Sequence, residues 1–453
     1  MHRRWLTAPL TAALLTACTT PGTTPSDGNG PPTGGTPPPT DFTLAPTTVT
    51  VPEGLRSAPF NVPRTLNVPS GSRVRVLARV PGARFLLVLP NGDVLVSQPG
   101  AGQVARIPAG GGAPTPLLTN LRKPHDLVLA TRGGTTYLYV SETHRVARYP
   151  LVNGIPNASA AQVIVANLPD ASTPELKGAY GHELKNIALD GDTLYVAIAS
   201  ATNADPADLA GTPKRGAVYA YNADTPAQDG PAGRLVAQGL RNAEGLAIQP
   251  GTRDLWVAVN NRDNVAFPRH ADIDGDGSDD YGKVLQGFVD NYPPEELIRV
   301  RDGGNYGWPF CNPNPDGGWL NMPLERDVQT NADGSRLDCS SADRVTVGMT
   351  AHAAPLGLTF WTGASVPAPF QGAAVVGQHG SWNRTSFSGH AFVLFPNTAG
   401  GLGPARDLVT GFVTDAVNKV RWGRPVDAAV APDGGLYLSD DLSGTVYHLQ
   451  LPQ

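Results

Sequence analysis

The chain has 453 residues, 40% hydrophobic and only 16% charged, which is ample apolar material for a large core and unlike the composition of a disordered body. Its formal net charge is −5 and it carries no basic run, so a nucleic-acid partner, which needs clustered Lys and Arg against phosphate, is excluded. Gly (52) and Pro (44) each outnumber the 34 Lys and Arg together, which predicts many turns and few long helices.

At the N-terminus, Arg3 and Arg4 precede "LTAPLTAALLTA", an apolar stretch too short to span a bilayer as a stable helix, and Cys18 follows Leu15-Thr16-Ala17. This is the pattern of a lipoprotein signal over residues 1–17. It predicts export, cleavage before Cys18 and acylation of its thiol, so that lipid and not a spanning helix holds the mature chain to a membrane of the cell envelope. An ordinary secretory signal is the alternative and implies much the same compartment. Loss of Arg3 and Arg4 takes the net charge from −5 to −7. Residues 18–45, with "TTPGTTPSDGNGPPTGGTPPPTD", read as a Pro/Gly/Thr-rich tether.

From residue 46 to 453 one unit recurs: an apolar strand, an Asp/Asn/Gly turn, a second alternating strand, a polar turn and a third strand. The copies are "FLLVLPNGDVLVSQPGAGQVARIP", "DLVLATRGGTTYLYVSETHRVARYPL", "NIALDGDTLYVAIAS" with "GAVYAYNAD", "GLAIQPGTRDLWVAVNNRDN", "GLTFWTGASVPAPFQGAAVVGQHG" with "AFVLFP", and "DAAVAPDGGLYLSDDLSGTVYHLQL". Antiparallel units that cannot bury both faces alone stack radially, so the prediction is an all-β, six-bladed β-propeller. A pair of β-sandwiches and a solenoid are the runners-up; the uneven spacing of the copies speaks against the solenoid.

In a propeller the loops feeding the first strands converge on one axial mouth. The residues at those entries are His125, His182, Arg241 with Asn242, His352 and Arg424, a His or Arg in five of six copies. His182, with an ordinary pKa near 6.5, can take a proton at neutral pH, or it is a hydrogen-bonded loop residue. Arg241 and Arg424 suit a carboxylate or phosphate, or serve as struts between blades, with Asp427 a possible partner for Arg424. Gly245, after Arg241, marks a place where backbone passes closely. Together the entries suggest a small polyanion.

Residues 263–350 read as an insertion. Its "DIDGDGSDD" sets Asp272, Asp274, Asp276, the Ser278 carbonyl and Asp280 around a glycine turn, an oxygen set suited to Ca²⁺ or else a solvated acidic turn. Lys283 stands where an EF-hand has its bidentate Glu, so it is not an EF-hand. Cys311 and Cys339, both in this insertion, are the only cysteines left after Cys18, and in an exported chain they predict one disulfide. "GGNYGWPFC" reads as a rigid loop, with Tyr306 and Trp308 forming either a pocket wall or blade packing.

The motifs "GHELKNIALDGDTLYV", "GLRNAEGLAI", "IRVRDGGNYGWPFC", "HAAPLGLTFWTG", "QHGSWNR" and "GRPVDAAVAPDGGLYLSDD" occur in the order found in the soluble glucose/sorbosone dehydrogenase family, which the chain resembles from about residue 65 to its end. The resemblance implies a six-bladed propeller that binds pyrroloquinoline quinone (PQQ) with calcium. It makes His182 the base for the sugar C1 hydroxyl while hydride passes to the quinone. It places Arg241 beside the reactive quinone oxygen, Asn242 as a neighbouring cofactor contact, Arg424 on the cofactor carboxylates, and a calcium on backbone carbonyls at Asn261 and Arg262.

Two positions depart from the sugar-oxidising pattern. His379 stands where a lysine meets the cofactor, and His352 where a hydroxyl residue does, the latter as in the sorbosone-like branch. The expectation is therefore an exported, lipid-anchored, PQQ- and calcium-dependent sugar or aldehyde dehydrogenase of sorbosone or aldose type. The alternatives are a propeller that only binds a glycan or protein at the cell surface and, weakest because Glu and Asp are absent from most blade entries, a calcium-dependent lactonase.

Overall fold

The structure, a computed structural model, describes residues 42–452; the signal, Cys18 and most of the tether lie outside them. Six antiparallel blades are arranged as a β-propeller. From the axis outward, blade 1 is Leu86–Val88, Val94–Gln98, Gln103–Ile107 and Thr115–Leu118. The first strands of blades 2 to 6 are Leu127–Arg132, Ile187–Asp190, Asn242–Ile248, Pro355–Trp361 and Pro425–Val430. Each first strand packs on the first strands of both neighbours, so the inner strands close a ring.

The ring is locked by its own ends. Arg73–Arg79 pairs antiparallel with Thr445–Gln450, Arg73 opposite Gln450 and Val76 opposite Tyr447, so the N-terminal segment supplies the outer strand of blade 6. Upstream of it, Leu44–Thr48 pairs with Thr65–Pro69, and Phe42 meets Phe370 at 5.3 Å. The folded body thus starts a few residues before the expected boundary at 46.

Why these segments become blade strands is visible in their burial. All five residues of Val94–Gln98 and all six of Ala373–Gln378 are buried, because alternate side chains face the neighbouring blades on either side and none faces water. Between blades 2 and 3 the filling is Tyr139, Ile164, Val196 and Tyr219; between blades 4 and 5 it is Trp256, Leu297, Phe360, Val376 and Val393. At about 1.5–3 kcal/mol for each large side chain buried, these layers hold the ring together.

A repeated polar clasp sets the spacing of blades at the axis. In blade 2 the Asp126 N–H donates to Ser141 Oγ (2.8 Å), Ser141 Oγ donates to the Lys185 carbonyl (2.6 Å), and Asp126 Oδ2 accepts the Ile187 N–H (2.9 Å) of blade 3. In blade 6 the Asp427 N–H donates to Ser439 Oγ (3.0 Å), Ser439 Oγ donates to the Arg84 carbonyl (2.6 Å), and Asp427 Oδ2 accepts the Leu86 N–H (2.9 Å) of blade 1. The approach at blade 5 is so close that a Cβ on Gly357 would lie 2.1 Å from Asp427 Oδ1. Asp427 is therefore occupied by a neighbouring blade and is not the partner of Arg424.

The segment 263–350 is not purely an insertion. It contains the third and fourth strands of blade 4, Glu295–Arg299 and Val345–Met349, paired to Leu255–Asn260 and to each other. "EELIR" is hard to read as a strand because two adjacent Glu residues break the apolar alternation, yet both are buried. The true excursions are 261–294, which holds the acidic loop, and 300–344. Cys311 and Cys339 form the predicted disulfide in the second of these.

Burial raises the carboxyl of Asp126 to about 8 and that of Asp427 to about 7. Both acids hold a proton more tightly folded than unfolded, so the stability that each contributes is fully present below its ordinary value of 3.8 and is lost as pH rises through 7 to 8. In urea unfolding between pH 5 and 8.5, Asp427→Asn, which keeps an acceptor for Leu86, should gain stability relative to the wild type as pH rises.

Candidate active site at the axial mouth

Blades 1 and 4 stand opposite one another in the ring, and their entry residues nevertheless meet. Arg84, two residues before the blade 1 inner strand, places Nη2 4.0 Å from Glu244 Oε2 of blade 4, and Nη1 3.0 Å from Asp441 Oδ2 after blade 6. Glu244 Oε2 also accepts from His125 Nε2 of blade 2 (3.0 Å), and Asp441 Oδ1 from His379 Nε2 of blade 5 (2.8 Å). Five blades thus join in one chain of charged contacts at a single mouth. Below it Phe85, Leu356 and Val426 pack together, and a channel of about 420 Å³ lined by inner-strand residues runs down the axis.

The electrostatics follow from burial and pairing. Burial would raise both carboxyls, but the His125 hydrogen bond and Arg84 hold Glu244 at about 2, and His379 and Arg84 hold Asp441 at about 2. Burial lowers His379 to about 4, so a neutral imidazole donates to Asp441. Arg424 donates from Nε to the His379 carbonyl (2.9 Å) and from Nη2 to the Gly380 carbonyl (3.1 Å). Burial and then the neighbouring Arg421 lower it to about 10, the mark of a cation short of countercharge.

His182 stands at the same mouth in a defined tautomer. Its Nδ1 lies 2.8 Å from the Ser200 carbonyl and 3.0 Å from Ser200 Oγ. Ser200 Oγ gives its own proton to the Thr202 carbonyl (2.8 Å), so Nδ1 is the donor and Nε2 carries the free lone pair. Ser200 is fixed in turn by its N–H to the Arg241 carbonyl (2.8 Å). Burial and then the charge of Arg241 lower His182 to about 4, which keeps it an unprotonated base.

Other expected residues are placed differently. Arg241 spends all five N–H groups on protein: the carbonyl and Oδ1 of Asn203 (both 3.0 Å), the carbonyls of Asn260 (3.2 Å) and Asn261 (2.6 Å), and Asp263 Oδ2 (3.4 Å). It is a strut for the 260–263 loop, not a free group beside a quinone. The Asn261 carbonyl, expected to face calcium, faces this guanidinium instead. The Asn261 side chain binds Glu296 Oε1 (2.8 Å), and Arg262 pairs with buried Asp327 and with Gln329 (2.8 Å).

His352 is buried, with Nε2 at 2.7 and 2.9 Å from the carbonyls of Val289 and Tyr292, so it anchors the 261–294 excursion and does not line the mouth. Asn242 is buried and donates to Glu244 Oε1 (3.3 Å). A Cβ on Gly245 would sit 2.5 Å from the Leu356 carbonyl, the close passage expected there. Trp308 Nε1 donates to the Asn203 carbonyl (3.1 Å), the same oxygen that Arg241 Nε uses, so the GWP loop positions Arg241 through Asn203.

In the acidic loop, Asp272, Asp274 and Asp276 bring carboxylate oxygens within 4.8 Å of one another. Asp280 does not join them: its Oδ2 accepts the Ile273 N–H (2.7 Å) and its Oδ1 meets Lys283 Nζ (2.9 Å). Lys283 also reaches Ser278 Oγ (2.5 Å), and of the four carboxylates expected to converge three do so.

Sequence reasoning missed Arg84, Glu244, Asp441 and Lys185. Arg84 and Lys185 stand two residues before their inner strands, as His125 does, so Arg84 extends the His/Arg pattern to blade 1, the one blade that lacked it. Glu244 lies within "GLRNAEGLAI". Lys185 is fully buried over the Tyr180 ring at 4.8 Å, and burial lowers it to about 7.

Arg84→Met leaves Glu244 and Asp441 without the cation they share and is expected to destabilise the fold by about 2–3 kcal/mol in urea titrations. Adding Glu244→Gln should recover part of that loss.

A family model described as TrAA12-like matches residues 67–451. A pyrroloquinoline quinone-dependent sugar dehydrogenase of Hypocrea jecorina is 23% identical over 268 residues, 57% of this chain and 54% of that protein. The chain spans about half the length of the curated relatives it matches. The iodide structure of the Trichoderma reesei carbohydrate-active enzyme of family AA12 superposes with a TM-score of 0.68 at 23% identity, covering 84% of this chain and 96% of that one. The holo form of the pyranose dehydrogenase PQQ domain from Coprinopsis cinerea also gives 0.68, at 18% identity, covering 89% and 98%. At these identities the structural likeness speaks for the fold.

Proposed function

The chain belongs to the TrAA12-like family, and from that membership and the geometry of the mouth we propose that it is a PQQ-dependent dehydrogenase of sugars or sugar aldehydes, exported and held to the cell envelope through Cys18. The observation that carries the reading is His182, a neutral imidazole whose free Nε2 is fixed in direction by Ser200, at the mouth where Arg84 and Arg424 stand with the ionised Glu244 and Asp441. Relatives described as a PQQ-dependent sugar dehydrogenase and a pyranose dehydrogenase support the substrate class.

The mouth suits a small tricarboxylate. Arg84 Nε is buried without a hydrogen-bond partner, its side chain is 14% exposed, and Arg424 is a cation short of countercharge. Arg84, Arg424 and His379 would hold the cofactor, and Asn242 would border it. PQQ, when bound, supplies a two-electron acceptor. Calcium at Asn261 and Arg262 fits less directly, since Arg241 Nη1 already faces the Asn261 carbonyl, and no step is assigned to a metal there. The three converging carboxylates of the acidic loop are proposed as a structural calcium site.

The chain's own contribution is proton transfer and orientation. His182 Nε2 takes the proton of the substrate hydroxyl, and the imidazolium so formed keeps its Nδ1–H on the Ser200 carbonyl. The ionised Glu244 favours that charged state, while Arg241 opposes it. Return of the proton to solvent restores the base.

Purified protein supplied with PQQ and Ca²⁺ should develop the bound-cofactor spectrum and reduce a dye with members of a panel of aldoses and osone-type aldehydes. Neither spectrum nor turnover would refute the reading, and spectrum without turnover would favour a binding module. His182→Ala should keep the spectrum and lose about 10²–10⁴ in kcat. Because the His182 pKa is lowered to about 4, kcat/KM in the wild type should hold down to that region and fall only below it. Glu244→Gln, which removes a charge that raises this pKa, should move the acid limb lower still. Fractionation of cells making the full chain should find it with membranes, and Cys18→Ser should release it.

A further inference from the structure

Among the described residues with large exposed apolar side chains, Trp382 is the only aromatic, and it is 64% exposed. It lies three residues beyond His379, in the loop that leaves blade 5 at the mouth end. An indole held in water is unfavourable for the free protein, and a mobile loop could relieve the cost by folding the ring inward.

This loop is held too firmly for that. The Ser381 N–H donates to the Ser388 carbonyl (3.0 Å), the Ser388 N–H to Ser381 Oγ (2.9 Å), and Arg384 and Ser388 Oγ both reach the Ala351 carbonyl (3.3 and 3.1 Å). The His390 ring packs over Gly380, whose φ is +93° and where a Cβ would lie 2.0 Å from that ring. On one side Gln286 Nε2 holds the Asn383 carbonyl (2.8 Å) and the Thr385 N–H donates to Asp290 (2.8 Å). On the other the Phe387 N–H donates to the Ala416 carbonyl (2.9 Å), next to exposed Val417 and Val420.

A broad aromatic face, displayed rigidly on the loop that follows His379 at the mouth, matches the C–H face of a pyranose ring, and exposed Lys419 reaches the Trp382 carbonyl with Nζ (3.5 Å), a polar group near it for sugar hydroxyls. We propose that Trp382 is a stacking platform for a second sugar unit, so that the substrate class is oligosaccharides whose terminal unit enters the mouth; this rests on the sugar dehydrogenase reading. The stack involves no bond making. It orders the chain of the substrate so that one end is presented to His182.

The test is calorimetric binding of the protein without added cofactor to mono- through pentasaccharides of β-1,4-glucan, β-1,4-xylan and α-1,4-glucan, paired with dye-reduction kinetics of the PQQ-loaded enzyme on the same sugars. The expected result is that in at least one series affinity rises tenfold or more from mono- to trisaccharide. Trp382→Ala should abolish that rise, Trp382→Phe should keep most of it, and monosaccharide kcat/KM should stay within twofold. No gain with length in any series, or a gain that survives Trp382→Ala, would overturn the proposal. Turnover of monosaccharides with no length dependence would leave the dehydrogenase reading standing and remove only this one; Trp382-dependent binding without turnover would do the reverse.

Discussion

The contact between Arg84 and Glu244 across the axis is the constraint on which the rest of the mouth depends. It bridges opposite blades, so it exists only if the ring closes at the correct number of blades and each inner strand starts at the correct height. The same guanidinium holds Asp441, and through it His379 and the Arg424 loop. A largely buried cation between two carboxylates is costly to assemble and more costly to break, which favours one fixed arrangement of the mouth.

Closure is arranged below it by groups with no chemical role. The Asp126/Ser141 and Asp427/Ser439 clasps each spend a carboxylate and a hydroxyl on the backbone of the next blade, so neighbouring inner strands cannot slide. Gly357 lets the inner strand of blade 5 approach Asp427 closely as well. With the strands fixed, residues two positions upstream of Leu86, Leu127 and Ile187 are fixed as well. Stability and function here use one scaffold: the clasp acids sit within a few residues of the groups that would handle cofactor and substrate.

Most of the fold was legible because blade strands obey period-two alternation and their turns carry Asp, Asn and Gly. The exceptions have physical reasons. Glu295 and Glu296 are buried strand residues, accepted because Asn261 and Ala354 donate to them, and no local pattern announces such partners. The closing strand Arg73–Arg79 pairs with a segment at the far end of the chain, a relation that periodicity does not encode. In the site, His182 and Arg424 could be picked out because His and Arg are unusual before apolar strands. Arg241 and His352 share that mark, yet their side chains turn to backbone carbonyls, because the sign of a strut and that of a ligand are identical in sequence. Glu244 was the reverse case: a buried acid whose partners come from blades 1 and 2 and are invisible from its own surroundings.

The central claim is that one axial mouth, bounded by Arg84, His182, His379 and Arg424, receives a planar polyanion. Diffraction from crystals soaked in PQQ tests it most directly. The account predicts density for the tricyclic cofactor at that mouth, with carboxylates on Arg84 and Arg424 and His182 Nε2 turned toward the open side. Density at another surface, or an empty mouth at millimolar PQQ, would contradict it.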